Sequence, residues 1–136
     1  MSNPRLRIVL VEADHSRRMS IEKVLSHLGY HRIVPVSSQR ELIVLLENAV
    51  DVFDLLIINE QIMRTVGERG KNLLSEYPCL KHSLTYHGAQ LQVAHGIGSG
   101  SVNPQCDFIA SGVPDRPVLE RVMAHVSAKA TNGVSS

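Results

Sequence analysis

The chain has 136 residues, 43% of them hydrophobic, and a formal charge of +1. That length suits one domain of ordinary size with a real core and leaves no room for a second. A charge near zero, with Arg17-Arg18 as the only adjacent basic pair, argues against a nucleic-acid footprint or an anionic membrane partner.

The hydrophobic period switches repeatedly between that of a strand and that of a helix. Leu6 to Val11 is a short branched run that suits a parallel strand covered on both faces. Ser16 is placed to cap the helix that follows, whose Met19, Ile21, Val24, Leu25 and Leu28 share a face and which ends at Gly29. His31 to Val36 reads as a second strand. Ser38 and Glu41, three apart, form a capping-box pattern ahead of Leu42, Ile43, Leu45, Leu46 and Ala49 on a second helix. Asp51 to Asp54 turns the chain into a third strand, Leu55 to Asn59.

After Gly67 the pattern predicts a helix over Glu68 to Glu76, stopped by Pro78. Lys81 to Tyr86 alternates as a fourth strand. A brief helix over Ala89 to His95 gives way to Gly96-Ile97-Gly98-Ser99-Gly100-Ser101, and Pro104 keeps that loop open. Asp107 to Ala110 is the fifth strand. Pro114-Asp115-Arg116-Pro117 opens a last helix from Val118 to Lys129, with Leu119, Val122, Met123 and Val126 on one face. The domain is therefore expected over 1–129, with 130–136 as a flexible tail or the start of a linker.

The longest apolar runs, Ile43 to Leu46 and Leu55 to Ile58, fall far short of the roughly 18 residues of a membrane span. Met1 to Leu6 enters a strand without the apolar stretch of a secretory signal. Cys79 and Cys106, the only two cysteines, then read as reduced thiols, and a cytoplasmic location is expected.

Five strands alternating with helices predict an α/β domain, a (βα)5 doubly wound parallel five-stranded sheet with a short or irregular fourth helix. In such sheets chemistry sits at the carboxyl ends of the strands, where strand order reverses. The residues there are Glu12-Ala13-Asp14, Asn59, Thr85-Tyr86-His87 and Ser111-Gly112.

From Leu6 to Val126 this pattern resembles the receiver domain of two-component response regulators, a flavodoxin-like fold. Ile8-Val9-Leu10-Val11-Glu12-Ala13-Asp14 is similar to the receiver opening, in which a strand ends in an acidic cluster. Leu28-Gly29-Tyr30 and Gly67, eight residues after Asn59, add to the likeness. The resemblance places Thr85 at the hydroxyl position that moves toward the phosphoryl group and Phe108 at the aromatic position coupled to it.

The departures concern chemistry. A receiver holds magnesium with two acids and its phosphoacceptor aspartate, and the ion neutralises charge during in-line transfer. Glu12 matches the first acid, but Ala13 stands at the second, and Asp14 lies one residue further along. Asn59 stands at the acceptor position, and a carboxamide is not an oxygen nucleophile. Ser111-Gly112 replaces the Lys-Pro pair whose ammonium contacts the phosphoryl group.

Other chemistry finds less support. Among seven histidines, His82, His87 and His95 with Cys79 and Cys106 show no zinc spacing and no Cys-x-x-Cys. The glycine loop 96–101 lacks the Lys and Ser/Thr of a P-loop and reads as a connector. Ser83, His87 and Asp107 lack a nucleophile elbow. Glu12 and Asp14 also read as loop acids capping the first helix.

The expectation is a degenerate receiver, or pseudo-receiver. It is not an enzyme, holds no magnesium or other cofactor, and regulates signalling or transcription by phosphorylation-independent contact with a protein partner or with itself. A homodimer through the face made by the fourth helix, fifth strand and last helix, residues 102–129, fits that expectation; direct contact with nucleic acid or membrane does not. Two alternatives remain: a phosphoacceptor receiver whose acidic site is rebuilt from Asp14 and Glu60, and a flavodoxin-like module binding a nucleotide or other small ligand.

Overall fold

The computed structural model describes residues 5–65, 77–87 and 108–135. Its strands are β1 (Ile8–Val11), β2 (Ile33–Val36), β3 (Leu55–Asn59), β4 (Ser83–Tyr86) and β5 (Phe108–Ala110). The helices are α1 (His15–His27), α2 (Gln39–Glu47), α3 (Glu60–Thr65) and α4 (Arg116–Ser135). The strands form one sheet in the order β2-β1-β3-β4-β5, and all four pairings are parallel. That order is the flavodoxin-like one, with its reversal between β1 and β3.

Alternation along the central strands splits the core into two layers. Ile8, Leu10, Leu55, Ile57, Leu84 and Tyr86 pack on one face against Ile21 and Leu25 of α1 and Leu119, Val122, Met123 and Val126 of α4. Val9, Val11, Leu56 and Ile58 face the other way, toward Leu42 and Leu46 of α2 and Ile62 of α3. Burial on both faces explains why β1 and β3 read as continuous apolar runs. β2 is an edge strand, and its Pro35 is exposed there, a place where a missing N–H removes no ladder bond.

Local chemistry sets the helix ends. α1 is capped by Asp14, whose Oδ2 accepts from Arg17 N at 2.9 Å, rather than by Ser16; an Asp ahead of the helix reaches the free N–H groups of its first turn. At the other end Tyr30 N donates to Leu25 O and Gly29 N to Ser26 O, with Gly29 at φ 99°. This is a Schellman closure, and it needs the left-handed conformation that glycine adopts without a Cβ clash. Ser38 Oγ accepts from Glu41 N as expected, but the Glu41 carboxylate returns to Ser37 N and Oγ, one residue early.

Two boundaries differ from expectation. α3 starts at Glu60, directly after β3, because Asn59 Oδ1 accepts from Gln61 N at 2.9 Å and serves as its cap. α4 starts at Arg116 and runs to Ser135, where the sequence pattern expects a helix from Val118 to Lys129. Gly67, the helices expected over 68–76 and 89–95, the glycine loop 96–101 and Cys106 lie outside the described residues.

Among the described residues Ser83 Oγ, buried on β4, has no hydrogen-bond partner. An unsatisfied buried hydroxyl is unfavourable, so Ser83→Ala is expected to leave stability unchanged or raise it by up to about 1 kcal/mol. A shift in thermal unfolding measures it.

Candidate functional site

The strand-order reversal brings the ends of β1 and β3 side by side, with β4 next to β3. Val11 pairs with Ile58 and Asn59 with Tyr86. Glu12 follows Leu10, Asn59 follows Ile57 and Tyr86 follows Leu84 by two residues, so all three side chains belong to the α1/α4 face of the sheet. Glu12 is 1% exposed, Asn59 2% and Tyr86 0%. A carboxylate at that depth is stable only if its oxygens are hydrogen-bonded and its charge is matched.

Both conditions are met from within the chain. Glu12 Oε1 accepts from Asn59 Nδ2 at 2.9 Å and from the Tyr86 hydroxyl at 2.5 Å. Oε2 accepts from the backbone N–H of Asp14 at 2.9 Å and, more loosely, from Arg17 Nη2 at 3.4 Å. Arg17 Nε lies 3.3 Å from Oε1, but its N–H is not aligned on an acceptor. Arg17 thus adds a loose hydrogen bond and its charge to the closer contacts of the neutral donors. Arg18, on the same turn of α1, donates to Glu12 O at 3.3 Å and lies 3.8 Å from Glu22.

The amide orientation of Asn59 follows from its neighbours. Gln61 N–H needs an acceptor and Glu12 needs a donor, so Oδ1 faces α3 and Nδ2 faces β1. An aspartate has no N–H to offer Glu12. Asn59 is therefore a connector between the end of β1 and the start of α3.

These contacts govern how the site titrates. Burial alone would raise the Glu12 carboxyl, but hydrogen bonds from Tyr86, Asp14 N–H, Asn59 and Arg17 outweigh it and hold the group below its ordinary value. Burial, reinforced by the bond to Glu12 and by its charge, drives the Tyr86 phenol well above its usual range. A lowered carboxylate contributes stability above its unfolded pKa, and that contribution is lost below about pH 4.3 as the folded group protonates. A raised phenol contributes stability that is complete below about pH 10 and is lost above it. One of the three tyrosines is accordingly expected to resist ionisation until the domain unfolds. Absorbance near the tyrosinate band, followed alongside circular dichroism on alkaline titration, checks this.

The remaining candidates are distributed around this centre. Ala13 is exposed in the β1–α1 connection. Asp14 meets Glu12 through its backbone, while its side chain caps α1. Glu60 lies 3.7 Å from His87 at the mouth of the site. Asp14 thus caps α1, and Glu60 faces His87.

Thr85 pairs with Ile58 and so belongs to the opposite face from Glu12 and Asn59; the hydroxyl that enters the cluster is that of Tyr86. Ser111 directly follows β5 and is partly exposed. Phe108 opens β5, and its ring meets His125 of α4 edge-on at 5.3 Å, with His82 5.8 Å from the same imidazole.

A divalent ion in a receiver needs carboxylate oxygens turned toward it. Here both Glu12 oxygens accept from protein donors, Ala13 has no ligand atom, Asp14 is committed to α1, and Asn59 presents Nδ2 to Glu12. The residues present do not fit a magnesium ion. Among the described residues no three His, Cys, Asp or Glu side chains gather as a metal site, and no helix is long and apolar enough to cross a membrane. No protein-family model matches this chain, and no curated protein matches it; the flavodoxin-like sheet and the Glu12 cluster are what its function can be argued from.

Proposed function

We propose that this chain is a receiver-like signalling module that acts by binding and carries no phosphoryl group. The observation that carries the reading is the Glu12 carboxylate, at the position of a receiver's first acid, saturated by Asn59, Tyr86, Asp14 N–H and Arg17. A site closed on its own side chains has neither nucleophile nor open metal ligand, and its retained framework then serves contacts. The module is non-enzymatic, and its input is the association of a partner protein or a second copy at the face that β5 and α4 build.

The test is intact-mass measurement after incubation with acetyl phosphate and magnesium. No adduct is expected on the native protein, whereas an added phosphoryl group would refute the reading. Light scattering over a concentration series distinguishes self-association from a need for a partner.

A further inference from the structure

The receiver likeness implies a divalent cation beside Glu12, yet the positive charge found there is a guanidinium. Glu12 is 1% exposed and has three neutral donors on its oxygens, which satisfy hydrogen bonding but not net charge. Arg17 supplies the charge. Its backbone N–H is fixed by Asp14 in the first turn of α1, which places the side chain back over the end of β1. Nε then sits 3.3 Å from Oε1 and Nη2 3.4 Å from Oε2, so the guanidinium spans both oxygens. Its side chain remains 34% exposed against 1% for Glu12, so Arg17 is the member of the pair that reaches solvent.

We infer that Arg17 is a tethered replacement for the divalent cation: it neutralises Glu12 permanently and bars metal ions from the strand ends. This rests on the receiver-like reading and adds to it the reason the site has one charge state and no metal-dependent input. A permanent ligand cannot favour one conformation conditionally, because only a ligand that binds and leaves can shift a population. Arg17 is a positioning residue here, acting through Glu12.

Terbium is a suitable probe, since it takes carboxylate sites built for hard cations and luminesces when a nearby tyrosine is excited; Tyr86 touches Glu12 directly. The native protein is expected to stay dark under tyrosine excitation. Arg17→Met, which keeps the aliphatic stem and removes the charge, is expected to gain sensitised emission that Glu12→Gln in the same background abolishes; magnesium, for which the neighbouring residues do not fit, is not expected to compete. Arg17→Gln serves if the methionine variant fails to fold, with circular dichroism as the check.

Emission from the native protein at the Glu12 site, or a folded Arg17 variant that stays dark, overturns the inference. The phosphoryl-adduct measurement is separate: an adduct on the native protein defeats the functional reading itself, while a dark Arg17 variant without an adduct defeats only the role given to Arg17.

Discussion

Asn59→Asp is expected to destabilise the domain by about 3 kcal/mol at neutral pH rather than restore a phosphoacceptor. The substitution exchanges the Nδ2 donor 2.9 Å from Glu12 Oε1 for a carboxylate oxygen, setting two buried acids against each other. Like charges that close cannot both stay ionised, so one of them takes up a proton.

Raising the folded pKa of the new aspartate above its unfolded value leaves the variant least impaired below about pH 4 and increasingly impaired above it. Urea unfolding of both proteins at acid and neutral pH measures the difference. Equal stability at neutral pH, or magnesium-dependent phosphorylation of the variant, would show that Asn59 is a simple loss and not a connector.

Glu12→Ala is expected to have the largest effect, about 3–5 kcal/mol, because it strands the Tyr86 hydroxyl and the Asn59 amide in the core at about 1–3 kcal/mol each and opens a cavity. Arg17→Met should cost less than Glu12→Ala, since that side chain is a third exposed and water can screen the charge it leaves on Glu12, while the neutral donors stay in place. The ordering separates the two kinds of contact. If chemical denaturation gave equal losses for both variants, the ion pair and not the buried donors would hold the cluster.

What the sequence disclosed, and what it withheld, follows the same physics. The strands were legible at β1 and β3 because burial on both faces leaves an unbroken apolar run that ends abruptly at Glu12 and at Asn59. Parallel strands joined by helices leave few arrangements, so the sheet order was within reach. Asn59 and Glu12 could be singled out because their strands are short and their ends are marked by polarity.

Tyr86 could not be singled out that way. Thr85 and Tyr86 are adjacent hydroxyl residues, and one residue of register decides which of them turns toward Glu12. The structure supplies that register through the pairing of Asn59 with Tyr86; in sequence the only hint is that Leu84 and Tyr86 share a parity.

Arg17 was hidden for a different reason. An arginine in a first helical turn looks like solvent-facing charge until the buried acid below it is known. The start of α3 has one signal in sequence, since an Asn directly ahead of Glu60 is a good helix cap. The stretches 66–76 and 88–107, where the sequence expects two further helices and a glycine loop, lie outside the described residues.

On the proposed reading, the acid at the end of β1 is closed to metal by the protein's own groups. The most direct measurement is the carboxyl carbon resonance of Glu12, followed by NMR while magnesium is raised into the millimolar range. The resonance is expected not to move with magnesium and to titrate below the ordinary range for a glutamate. A saturating shift of that resonance with magnesium would contradict it.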